Sequence, residues 1–122
     1  MTMLPFLSSA TLHSVGELKI QFESDVVRSR NLGSILAQEM KFDHTNQIRI
    51  GTTISELCRN IIEHAEWGTL QFFIARRKND SDGIVLIFSD HGKGIQELEL
   101  IEDGSFHSKK GMGVGLMGSQ RL

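Results

Sequence analysis

The chain has 122 residues, enough for one hydrophobic core and too few for two, and its 39% of hydrophobic residues with 12 glycines is the make-up of a folded globular domain. Its 13 Lys and Arg against 15 Asp and Glu give a net charge of -2, with no basic stripe to neutralise the phosphates of a nucleic acid. A single cysteine, Cys58, excludes an internal disulfide and a multi-cysteine metal centre, and no apolar run reaches the ~18 residues of a membrane span. The first residues also lack a basic segment ahead of their short apolar stretch, so a cytoplasmic protein free of membrane is expected.

Residues 1–16 carry the only proline, Pro5, and show no hydrophobic period; they read as an N-terminal arm, with the domain over 17–122. From Glu17 to Glu23 the chain alternates, Leu18, Ile20 and Phe22 on one face and Glu17, Lys19, Gln21 and Glu23 on the other, which predicts a half-buried strand. Ser24 then caps a helix with Asp25 in its first turn and Leu32, Ile35, Leu36 and Met40 on one side. Gly33 inside this helix, about 1 kcal/mol worse than alanine, points to a close packing contact. A second helix is predicted from Asp43–Thr45 to about Glu66, turning Ile54, Leu57, Cys58, Ile61 and Ala65 to the core, with Gly68 as its stop. Thr69 to Arg77 reads as a strand, the Asn79–Gly83 cluster as a hairpin turn, and Ile84 to Phe88, apolar throughout, as a central strand covered on both faces. Beyond Asp90 the chain is polar and glycine-rich, and it contains no internal repeat.

Three segments can carry chemistry. On the second helix Glu56, Asn60, Glu63 and His64 recur every three or four residues beside the apolar stripe; this is the pattern of a solvated flank, but a carboxylate and a carboxamide one turn apart can also take up a proton and a hard cation. Asp90-His91-Gly92-Lys93-Gly94-Ile95 follows the most apolar strand, and is either an ordinary Asx and glycine turn or a fixed acceptor beside backbone that a planar ligand can approach. Gly111-Met112-Gly113-Val114-Gly115-Leu116-Met117-Gly118 leads toward a predicted helix, so it reads as a loose loop or as a cradle of backbone N–H groups for phosphate; the spacing is not that of a P-loop.

In order and spacing these segments, with Arg30-Asn31-Leu32-Gly33, Ile54-Ser55-Glu56-Leu57-Cys58-Arg59-Asn60-Ile61 and Glu102-Asp103-Gly104, resemble the GHKL (Bergerat-fold) ATP-binding superfamily from about Glu17 to Leu122. Within it the chain is most similar to the anti-sigma-factor-type serine kinases of bacterial partner-switching and stressosome pathways. The resemblance implies an α+β fold, a two-layer sandwich with a mixed sheet and helices on one face. It also implies that Asn60 holds Mg2+ against the nucleotide phosphates, that Glu56 is the catalytic base, and that Asp90 accepts from the adenine amino group while Gly92 and Gly94 admit the base. Gly111, Gly113 and Gly115 would bind phosphate, with Ile95, Val114 and Leu116 in the same ATP-binding set. Gln96 to Lys110 would be a mobile lid, and Lys109 or Lys110 would meet phosphate charge. His64 reads equally as a packing histidine and as a ligand.

Domains of this superfamily continue past the glycine box with the rest of a helix and two strands, so a C-terminally incomplete sheet of three strands with an open edge is expected. The implied function is an ATP- and Mg2+-dependent serine/threonine kinase acting on a STAS-domain regulator and then on a downstream partner. The other reading is a nucleotide-loaded module that binds its regulatory partner without significant transfer. The ATP domain of a sensor histidine kinase would need a phospho-acceptor hairpin, for which the 16 residues before the expected first strand leave no room.

Overall fold

The computed structural model describes residues 10–78, 82–91, 96–102 and 105–112. In chain order these form β1 (Ala10–Ile20), α1 (Glu23–Glu39), α2 (His44–Ala65), β2 (Gly68–Arg77), β3 (Gly83–Asp90), β4 (Gln96–Glu102) and β5 (Ser105–Met112). The strands make one sheet in the order β1-β2-β3-β4-β5, and every neighbouring pair is antiparallel. The α+β class and the two-layer arrangement are as expected, but among the described residues the sheet is antiparallel rather than mixed and has five strands where three were expected.

The first strand begins at Ala10 rather than Glu17. A bulge at Val15 explains why its upstream half has no visible period: Leu18 pairs with Leu70 and Gly16 with Phe72, but past the bulge Leu12 pairs with Ala75, on the opposite face. Phe22, expected on the strand's inner face, instead stands at the start of α1 and is 62% exposed. The cap is also not the expected Ser24. The Asp25 carboxylate accepts the backbone N–H groups of Phe22 at 2.9 Å and Gln21 at 3.0 Å, so an acid one turn inside the helix reaches back over its open end.

The inward stripe of α1 is Val26, Ser29, Gly33, Leu36 and Ala37, while Ile35, expected in the core, is 55% exposed. Small residues at 29, 33 and 37 let α2 come close: a Cβ on Gly33 would run into Ile54 Cδ1 and lie 3.3 Å from Ile50 Cγ2. The core joins these to Ile50, Ile54, Cys58 and Ile61 of α2 and to Leu70, Phe72, Ile84, Leu86, Phe88 and Ile101 of the sheet. On the other side of β3, Val85 and Ile87 are buried too, so the uniformly apolar strand is covered on both faces as expected.

Candidate functional site

The helix that carries Glu56 and Asn60 starts where the sequence places it. Asp43 adopts an extended backbone, and its side chain accepts the N–H of Asn46 at 2.9 Å, while Gln47 Nε2 donates to the Phe42 carbonyl at 2.8 Å. Its stop is not Gly68 but Glu66, whose φ of 69° turns the chain out of the helix. Gly51 sets the helix's orientation: a Cβ there would lie 3.1 Å from Arg30 Cγ and 3.3 Å from Ser34 Oγ, so this side of α2 faces α1. Asn60 comes about two and a half turns after Gly51 and therefore lies on the side away from α1. Glu56, Asn60, Glu63 and His64 are all exposed.

The sheet determines what that free side overlooks. α1 contacts β1, whereas α2 lies over β1, β2 and β3, so the flank of α2 away from α1 is turned toward the β4 side. Gly68, the first residue of β2, pairs with Asp90, the last of β3. A Cβ on Gly68 would run into the Ser89 carbonyl oxygen and come within 2.9 Å of Ile61 Cγ2, so the missing side chain lets the C-terminal half of α2 settle on this end of the sheet. Asp90 alternates with Phe88 and Leu86, which are in the core, and so belongs to the helix-facing side of β3; it is half-buried. Asn60, next in sequence to Ile61, thus belongs to the end of α2 that overlies the Gly68–Asp90 rung.

The same register brings in the third segment. Ser89 pairs with Gln96, and Gln96 with Met112, which places Gly111 and Met112 two strands across from the end of β3. The expected lid over Gln96–Lys110 is a correction: its described residues, 96–102 and 105–110, lie in β4 and β5, with Leu98 opposite Lys109 and Glu97 opposite Lys110. Its signal was present in the alternation of Glu97, Leu98, Glu99 and Leu100, which predicts a strand once the resemblance to a lid is set aside. The expected site residues Gly92, Gly94, Ile95, Gly113, Val114, Gly115 and Leu116 lie outside the described residues.

Among the described residues no three His, Cys, Asp or Glu side chains converge as a metal cage. An exposed amide oxygen beside a carboxylate one turn away instead suits Mg2+, which binds through one or two protein oxygens and completes its shell with phosphate and water. Cys58 has no part in this: burial pushes its thiol up to about 12, against smaller opposing effects from the Ser29 hydroxyl and Arg59. Arg59 itself donates to Glu23 at 2.7 Å, an exposed pair that ties α2 to the start of α1 and lowers the Glu23 carboxyl. Sequence reasoning missed three neighbours of Asp90: Trp67 stacks on His91, with ring centroids 4.0 Å apart, and Lys19 Nζ stands 4.6 Å from the Trp67 ring centre. They come from three separate segments, and only the sheet register joins them.

Comparison with known proteins bears on the same residues. Residues 45–122 match the family model described as histidine kinase-, DNA gyrase B- and HSP90-like ATPase, a span that includes Glu56, Asn60, Asp90 and the glycine box. The serine/threonine-protein kinase RsbT of Bacillus subtilis (strain 168) is 35% identical over 105 residues, covering 86% of this chain and 78% of that protein. No solved structure matches. Among the described residues no helix is long and apolar enough to cross a membrane. With a family model matched over most of its length and a relative 35% identical across most of both chains, on a two-layer α+β fold, the chain belongs to the histidine kinase-, DNA gyrase B- and HSP90-like (GHKL) ATPase family.

Proposed function

We propose that this protein is an ATP-dependent serine/threonine protein kinase that phosphorylates a STAS-domain regulator in the cytoplasm and is thereby released to act on a downstream partner. The observation that carries the reading is that Asn60, exposed on α2 one turn after Glu56, adjoins the Ile61 that packs at the Gly68–Asp90 rung, in a chain 35% identical to a serine/threonine-protein kinase. Asp90 accepts from the adenine amino group and orients the base. Asn60 would hold Mg2+ through its amide oxygen, and bound Mg2+ would neutralise phosphate charge. Glu56 takes the proton from the substrate serine as the serine oxygen bonds to the γ-phosphorus and the bond from that phosphorus to the β-phosphate oxygen breaks, leaving ADP. Gly111 and the glycines after it offer backbone N–H groups to the phosphates, and Lys109 or Lys110 adds positive charge.

Incubation of the protein with labelled ATP, Mg2+ and STAS-domain proteins encoded nearby tests this. Label on a serine of one of them is the expected result. Nucleotide binding without transfer to any of them would replace the kinase by a nucleotide-loaded binding module.

A further inference from the structure

We propose that Trp67 and His91 form a positioning pair for adenine recognition, stapling the end of β3 so that the Asp90 carboxylate is held in place; this rests on the reading above, in which Asp90 accepts from the base. The last rung between β2 and β3 is Gly68 opposite Asp90. One residue beyond it on each strand, the His91 N–H donates to the Trp67 carbonyl at 3.2 Å, and the two rings stack with centroids 4.0 Å apart and planes 25° from parallel. Lys19, which pairs with Thr69 on β1, brings its ammonium 4.6 Å from the same indole, so the contact spans the ends of three adjacent strands.

This cluster is not part of the core. Lys19 and His91 are exposed and Trp67 is half-buried, while the core cluster near this corner consists of Ile20, Ile61, Leu70 and Phe88. What it holds is the residue directly after Asp90, at the point where the chain leaves the sheet. An acceptor distinguishes an amino group from a carbonyl only while its direction is fixed, so a loose Asp90 would lose affinity for ATP while its weak affinity for GTP changed little. A general loss of packing would instead weaken both nucleotides alike.

Trp67 is the only tryptophan and the chain has no tyrosine, so emission excited near 295 nm reports this stack alone. The experiment uses the full chain with Mg2+, measuring ATP and GTP affinity by calorimetry and Trp67 emission in the same titrations, for the unaltered protein, His91→Ala and His91→Phe. The expected result is a saturable emission change with ATP in the unaltered protein. In His91→Ala, ATP affinity falls about fivefold with GTP affinity little changed, as loss of one aromatic stack predicts. His91→Phe, which keeps a ring on the indole, recovers ATP affinity. ATP affinity and ATP-to-GTP preference unchanged in His91→Ala would overturn the proposal and leave the kinase reading standing, and equal loss of both nucleotides without recovery in His91→Phe would overturn it likewise. If the unaltered protein takes up no ATP, the proposal and the kinase reading fall together.

Discussion

At the scale of single residues, Glu56 and Cys58 sit two positions apart on one helix and face opposite environments. Glu56 is exposed, and a general base contributes about 10²–10⁴-fold. Glu56→Gln should therefore slow phosphoryl transfer by roughly that factor while calorimetry finds Mg-ATP binding retained; undiminished transfer would remove Glu56 as the base. Asn60→Ala should instead weaken the dependence of nucleotide affinity on Mg2+, read from titrations with and without the cation. Cys58, fully buried, shows how pH acts on the core. Its thiol is raised to about 12 from an ordinary 9.0, so between those limits the unfolded chain has released a proton that the native state keeps, and stability falls as pH rises. Denaturant midpoints measured from pH 8 to 11 should drop less steeply in Cys58→Ala than in the parent, and the parent thiol should resist alkylation at pH 8 until the protein unfolds.

At the scale of elements, two glycines that look alike in sequence differ in what surrounds them. A methyl at Gly33 meets the end of the Ile54 side chain, which can turn aside, and the helix gains from alanine; Gly33→Ala should cost at most about 1 kcal/mol. A methyl at Gly68 meets the Ser89 carbonyl, which belongs to the sheet ladder and cannot turn aside. Gly68→Ala should cost about 2–3 kcal/mol in denaturant melts, and because it pushes β3 away from β2 beside Asp90 it should also weaken ATP binding. The start of α1 supplies an acid-side test. Asp25 is held below its usual range first by the Phe22 N–H and then by the N–H of Gln21 and by Arg28, so its contribution is present above about pH 4 and is lost as pH falls through the lowered value. Asp25→Ala should destabilise the protein by about 1 kcal/mol at pH 7 and flatten the fall in stability below pH 4.

At the scale of the whole molecule, α2, β2 and β3 were legible because their apolar residues mark them out and turn formers lie between them, whereas the inward face of α1 was misread at Ile35 because its stripe runs through Ser29 and Gly33. The seating of the Asn60 end of α2 on the Gly68–Asp90 rung was legible only as separate motifs, since no period in the sequence states that Gly68 will press against Ile61. Two parts were obscured for definite reasons. A bulge at Val15 reverses the phase of β1 midway, and a functional analogy to a lid hid the plain alternation of β4. The positions of Trp67 and His91 depend wholly on strand register, so no reading of neighbours along the chain could pair them.

The unbroken order of the sheet, each strand beside its predecessor, has a consequence for how the molecule comes into being. Nothing need be threaded or inserted: as the chain leaves the ribosome, each new strand can zip onto an edge already formed, and β1 to β3 with both helices bring Ile20, Val26, Ile50, Ile54, Ile61, Phe72 and Leu86 together before β4 appears. Shelter from water is thus gained early and the phosphate side of the proposed site late. The β4–β5 pair, at the outer end of the described sheet with β5 paired to β4, should conversely be the first to peel away, its amides exchanging with solvent deuterium ahead of those of β3. A nascent chain would thus bury its apolar side chains before the segment proposed to meet phosphate has been made.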